Sequence, residues 1–64
     1  MNLKPGWHAD VQPSEDPNKA IIIVLRDRDD GREPRQYGVY ELAKYPDQDP
    51  LEALATACPQ AFEQ

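Results

Sequence analysis

Ala20-Ile21-Ile22-Ile23-Val24-Leu25-Arg26-Asp27-Arg28-Asp29-Asp30-Gly31-Arg32-Glu33 is the stretch that decides the fold of this chain. Its first part holds the longest continuous apolar block, Ile21 to Leu25, in which four of five residues are β-branched. Such side chains are stiff at χ1 and suit a pleated strand better than a helix. The block is too short to cross a bilayer, which takes about 20 apolar residues. The charged part that follows carries Asp30-Gly31 at its middle. An Asp-Gly pair between two strand-like runs is a strong hairpin signal, because glycine accepts the positive φ that the turn needs. The outgoing strand is expected over Ala20–Arg28 and the return strand over Arg35–Leu42.

Neither strand alternates cleanly between apolar and polar residues. Ile21, Ile23 and Leu25 point one way and Ile22 and Val24 the other, since successive side chains of a strand alternate. On the return strand Tyr37 and Val39 fall on one face and Gly38, Tyr40 and Leu42 on the other. Gly38 within the strand implies a bulge or the close approach of another group. Apolar residues on both faces require cover on both faces.

Toward the N-terminus, Trp7, Ala9 and Val11 alternate with His8, Asp10 and Gln12, the period of a short half-buried strand. Trp7 is the one tryptophan and is expected to anchor the core. Pro5-Gly6 and the segment Pro13, Ser14, Asp16, Pro17, Asn18 are turn and loop chemistry. Toward the C-terminus, Asp49-Pro50-Leu51-Glu52 reads as a helix start, with Asp49 as cap, Pro50 at the first helical position and Glu52 at the third. Leu51, Leu54, Ala55 and Cys58 then follow at i, i+3, i+4 and i+7, one apolar stripe. Pro59 disfavours continuation beyond Cys58, and Phe62 either extends the stripe after a kink or pins a tail.

These readings predict a single small α+β domain over residues 1–64: an antiparallel sheet of two to three strands around a central β-hairpin, with one C-terminal helix packed on one face. Residues 1–6 and 63–64 are expected to be flexible ends. One helix covers one face of such a sheet. The second face needs another cover, expected partly from Trp7 and its strand and partly from a second molecule.

Composition narrows the functional classes. A chain of 64 residues buries only about 60% of the surface it exposes when unfolded, so its stability margin is small. Cys58 is the one cysteine and His8 the one histidine, which leaves neither an intramolecular disulfide nor a Cys/His zinc site. Tight packing or association must supply what such staples usually add. The net charge of −5 argues against binding a nucleic-acid backbone and allows a basic partner. The N-terminal residues lack a signal-type apolar core and the single thiol fits a reducing compartment, so a cytoplasmic location is expected.

Several residue groups invite chemistry and carry plainer readings. His8 and Asp10 share the polar face of the first strand and could orient a base, but no nucleophile or third ligand is placed beside them, and a surface pair is the plainer reading. Cys58 lies on the apolar stripe near the helix end, away from the helix N-terminus or cation that would activate a thiolate, and reads as a small core residue. Asp27, Asp29 and Asp30 precede Gly31, yet Gly31 falls at the fifth position from Asp27 where a calcium loop of EF-hand type needs its glycine at the sixth. A solvated tip accounts for them, with arginines balancing the acids. Gly6, Gly31 and Gly38 are too far apart for a phosphate loop. Neither catalytic residues nor a cofactor are expected.

The order strand, Asp-Gly turn, strand, and a helix beginning Asp49-Pro50-Leu51-Glu52-Ala53-Leu54 resembles HicB-type antitoxins, whose hairpin leads into a helix with a Leu-Glu-Glu-Ala-Leu-like start. It is also similar to small acidic phage proteins that inhibit bacterial RNA polymerase. The chain departs from the antitoxin pattern at Pro59, which cuts the helix short. The resemblance implies a small phage or bacterial regulator that works by binding protein.

The functional expectation is a non-enzymatic protein-binding module, an inhibitor or adaptor of a larger cellular or host protein. The alternative is a self-associating, antitoxin-like dimer. The partner surface is expected to combine a sheet face with the hairpin tip, including Ile22, Val24, Arg28, Arg32 and Tyr40. Direct contact with nucleic acid, a membrane or a small-molecule substrate is not expected.

Overall fold

The computed structural model describes residues 2–63. Three strands, β1 (Trp7–Pro13), β2 (Lys19–Arg26) and β3 (Arg35–Ala43), form an antiparallel sheet in the order β1-β2-β3, followed by the helix α1 (Pro50–Ala57) and a 3₁₀ turn at Pro59–Ala61. The apolar block is the central strand, as its composition requires. The architecture is α+β, with the helix packed against the sheet.

Each element starts and stops for a local reason. Asp49 is extended (φ −67°, ψ 132°) and its Oδ1 accepts the Leu51 N–H at 2.9 Å, while Pro50 takes the first helical position. The cap satisfies one of the donors that a helix start leaves free. At the other end the chain leaves the helix at Cys58, and Pro59 restarts it as a single tight turn. That turn places Ala61 and Phe62 in the core beside Leu54 and Cys58.

Register decides which apolar set the helix covers. β1 pairs Ala9 with Val24, Val11 with Ile22 and Pro13 with Ala20, while β3 pairs Gly38 with Val24, Tyr40 with Ile22 and Leu42 with Ala20. Directly opposed residues point to the same face. Ile22 and Val24 are fully buried and Ala20 nearly so, in one cluster with Leu54, Cys58, Ala61 and Phe62. Trp7, Ala9, Tyr40, Leu42, Leu51 and Ala55 close its margin. On the opposite face β2 sets Ile21, Ile23 and Leu25 between Gln12, Asp10 and His8 on one side and Glu41, Val39 and Gln36 on the other, all polar but Val39. The Cα atoms extend over 38 × 27 × 13 Å. The shortest extent is that of one helix on one sheet, because packed layers lie about 10 Å apart.

Two features differ from the local reading of the sequence. First, the described terminal residues have backbone partners. Leu3 bridges Phe62, and the Lys4 N–H donates to the Ala61 carbonyl at 2.8 Å. The Glu63 N–H donates to the Asn2 carbonyl at 2.9 Å, and the Pro5-Gly6 turn closes through Trp7 N–H to the Lys4 carbonyl at 3.0 Å. Residues 2–6 and 61–63 therefore clamp each other through backbone bonds, while Met1 and Gln64 lie outside the described residues. Second, Tyr37 does not share a face with Val39. The β2–β3 register shifts between Val24 and Leu25, leaving Tyr37 as the extra residue of a bulge. The bulge turns Tyr37 to the helix side, where its ring meets Trp7 edge-on at 4.9 Å and its hydroxyl accepts from Gln60 Nε2 at 2.9 Å.

Candidate functional site

Two surfaces differ from an ordinary solvated exterior. The first is the sheet face opposite the helix. Ile21, Ile23 and Leu25 are half-buried along β2, and Val39 beside Ile23 is 54% exposed. No element among the described residues packs over this row. Asp10 and Glu41 flank it, and Lys19 is the one lysine or arginine at its strand positions. The flanks are partly ordered: Gln12 Nε2 donates to Asp10 Oδ2 at 3.0 Å, and the Ser14 hydroxyl donates to the Glu41 carboxylate.

Of the residues expected to bind a partner, Ile22 and Val24 lie on the helix-covered face. They are fully buried under α1 and are core. Tyr40 is on the same covered side, half-buried, with its ring over Gly38. A Cβ on Gly38 would sit 3.2 to 3.4 Å from three atoms of that side chain, so the glycine marks both the bulge and a close approach. The Tyr40 phenol is held above its ordinary titration range, first by its interaction with the Cys58 thiol and then by burial. Trp7 also belongs to the helix side and does not cover Ile21, Ile23 and Leu25. The apolar residues left on the uncovered face are Ile21, Ile23, Leu25 and Val39. The polar set of β1 was their signal: a strand that keeps His8, Asp10 and Gln12 in water exposes whatever the register puts beside them.

The second surface is the loop of residues 27–34 that joins β2 to β3. It is longer than a two-residue turn, and Asp30-Gly31 forms its outer bend, with Gly31 at φ +77° and Arg32 N–H donating to Asp30 Oδ1 at 3.1 Å. A cleft of about 610 Å³ opens beside it, lined by Arg26, Asp27, Arg28, Asp29, Asp30, Arg35, Gln36 and Tyr37. Arg28 Nε lies 3.7 Å from Asp30 Oδ1, and Arg32 Nε 3.3 Å from Asp30 Oδ2. Both arginines of the expected site are thus at the tip, with Arg28 on the cleft wall, but neither adjoins the open sheet row in sequence or register.

His8 does not meet Asp10. Its Nε2 lies 2.8 Å from Asp27 Oδ1, both side chains are at least half exposed, and the pair ties β1 to the start of the loop. Among the described residues no three His, Cys, Asp or Glu side chains gather as a metal-holding group. Cys58 is free and buried. None of the described helices is long and apolar enough to cross a membrane. Comparison with protein-family models, with curated proteins and with solved structures gives no significant match.

Proposed function

We propose that this chain is an acidic, non-enzymatic protein-binding module, an inhibitor or adaptor of a larger protein, and that it docks through the open face of its sheet. The observation that carries the reading is the uncovered apolar row Ile21, Ile23, Leu25 and Val39 between polar flanks. An apolar centre with a polar rim is the anatomy of a protein interface. The acids Asp10 and Glu41 on its flanks, and a net charge of −5, favour a partner whose own apolar patch is ringed by lysine or arginine. The same charges oppose the meeting of two identical faces.

The test uses a photo-crosslinking residue at position 23, or at the exposed Glu52 on the outer side of α1 as control. The reading expects a monomer of about 7.3 kDa in solution and cross-links formed from position 23 but not from position 52. The captured peptides should map to an apolar surface bordered by basic residues. A dimer that Ile23→Glu dissociates would replace the partner with a second copy. Equal cross-linking from both positions would remove the sheet face from the function.

A further inference from the structure

We propose that the cleft beside the hairpin loop is an oxyanion site, in which Arg26 and Arg35 hold a carboxylate or phosphate group between them. The inference does not depend on the sheet-face reading. It rests on an accounting of charge partners. Arg26 and Arg35 are directly opposed across β2 and β3 and both line the cleft. Opposed like charges in a sheet destabilise it, so a pair kept there without an anion is a local fault. The cleft also holds Asp27, Asp29 and Asp30, which could cancel the charge, but two of these have other partners. Asp27 faces His8, and Asp30 takes Arg28, Arg32 and the Arg32 N–H. Among the described residues neither Arg26 nor Arg35 has a carboxylate within 4.0 Å. What remains without an ion-pair partner on the lining is Arg26 and Arg35 against Asp29 alone, an excess of positive charge at two opposed strand positions.

Their surroundings suit a ligand. The Arg26 guanidinium carbon lies 5.1 Å from the centroid of the Trp7 ring, and Trp7 is itself held by Tyr37. A guanidinium restrained on an aromatic face loses less freedom when it forms its bidentate bonds, and the fork of arginine matches carboxylate and phosphate. The cleft volume of about 610 Å³ falls within the range of small-ligand sites and exceeds what one inorganic ion fills. The open cleft leaves room for an oxyanion carried on a larger molecule, and the bulge that presents Tyr37 also shapes the wall around it.

The experiment follows ¹⁵N-labelled protein by NMR during titration with sodium phosphate, with sodium acetate, and with sodium chloride at matched ionic strength. The proposal expects a saturable shift of the Arg35 Nε–Hε signal and of the Gln36 and Tyr37 amides with at least one oxyanion, and only a featureless drift with chloride. Saturation by phosphate alone assigns the site to phosphate groups; saturation by both extends it to carboxylates. Arg35→Gln should abolish the saturable response and, by relieving the repulsion, raise the melting midpoint in chloride. Arg35→Lys, which keeps the charge but not the fork, should weaken binding at least several-fold. Lys44→Gln removes one positive charge beyond the far end of β3 and should leave the titration unchanged. Drift with all three salts, or a saturable response that survives in Arg35→Gln, overturns the site.

Discussion

The two faces of β2 are built from nearly the same residues and meet opposite fates. Ile22 and Val24 are fully buried beneath α1, while Ile21, Ile23 and Leu25, interleaved with them, have no element among the described residues over them. Hydrophobicity cannot have made the choice, since three consecutive isoleucines are chemically identical. The neighbours made it. The covered set lies beside the small residues Ala9 and Gly38, and the open set lies beside His8, Asp10, Gln12 and Glu41, whose burial unpaired would be costly. The lesson is that in a three-stranded sheet a central strand has no inside of its own; it inherits one from its edge strands.

The sharpest way to break this comparison is one substitution made on each face. Ile22→Glu puts an unpaired carboxylate into the core and should cost several kcal/mol. A domain of this size has a total stability on the order of 3–10 kcal/mol, so the variant should be largely unfolded by circular dichroism. Ile23→Glu, one residue away, should keep its stability within about 1 kcal/mol of wild type. Equal unfolding by both would mean that the open face is core in solution, covered by a second molecule.

Much of this arrangement was legible in the sequence, and the misses share a cause. The strand composition of residues 21–25, the alternation of Trp7 to Gln12, the Asp49-Pro50 start and the stripe Leu51, Leu54, Ala55, Cys58 are local signals, and each describes an element that is present. Register is not local. The connection of residues 14–18 sets odd residues of β1 against even residues of β2, and that parity alone assigns Ile22 to the core and Ile23 to the surface. The bulge that turns Tyr37 toward Trp7 is equally invisible until β3 is laid beside β2. The pairing of Leu3 with Phe62 spans nearly the whole chain, so composition made both ends read as loose. The His8–Asp27 contact was missed for the same reason: Asp10 is nearer in sequence, but Asp27 is nearer in the sheet.

A smaller effect separates the covered face from the loop, through the two glycines of the hairpin. Gly38→Val drives a branched side chain into the Tyr40 ring, 3.2 to 3.4 Å from the new Cβ. Overpacking of this kind should cost about 1–3 kcal/mol. Gly31→Val meets nothing within 4 Å, and its cost is the backbone strain of φ +77°, about 1–2 kcal/mol. A double-mutant cycle with Tyr40→Ala distinguishes the mechanisms. The Gly38→Val penalty should shrink when the ring is gone and the Gly31→Val penalty should not. An unchanged Gly38→Val penalty would place the strain in the bulged backbone.

The smallest effect is a titration confined to the covered face. Tyr40 is held above its ordinary value by the Cys58 thiol first and by burial second, so the folded state favours the neutral phenol. The sign follows from linkage. An unfolded tyrosine loses its proton near pH 10 while the folded one still keeps it, so folding retains a proton that unfolding releases. The contribution is fully present below about pH 10 and is lost as the pH rises from there through the raised folded value. Urea midpoints of wild type and Tyr40→Phe should therefore run parallel between about pH 7 and 9 and converge above about pH 10, because phenylalanine has no proton to lose. If Tyr40→Phe lost stability in alkali as steeply as wild type, the sensitivity would belong elsewhere. The Tyr40–Cys58 contact would then not be the feature that makes one face of the sheet respond to alkali while the other, carrying no tyrosine at its strand positions, does not.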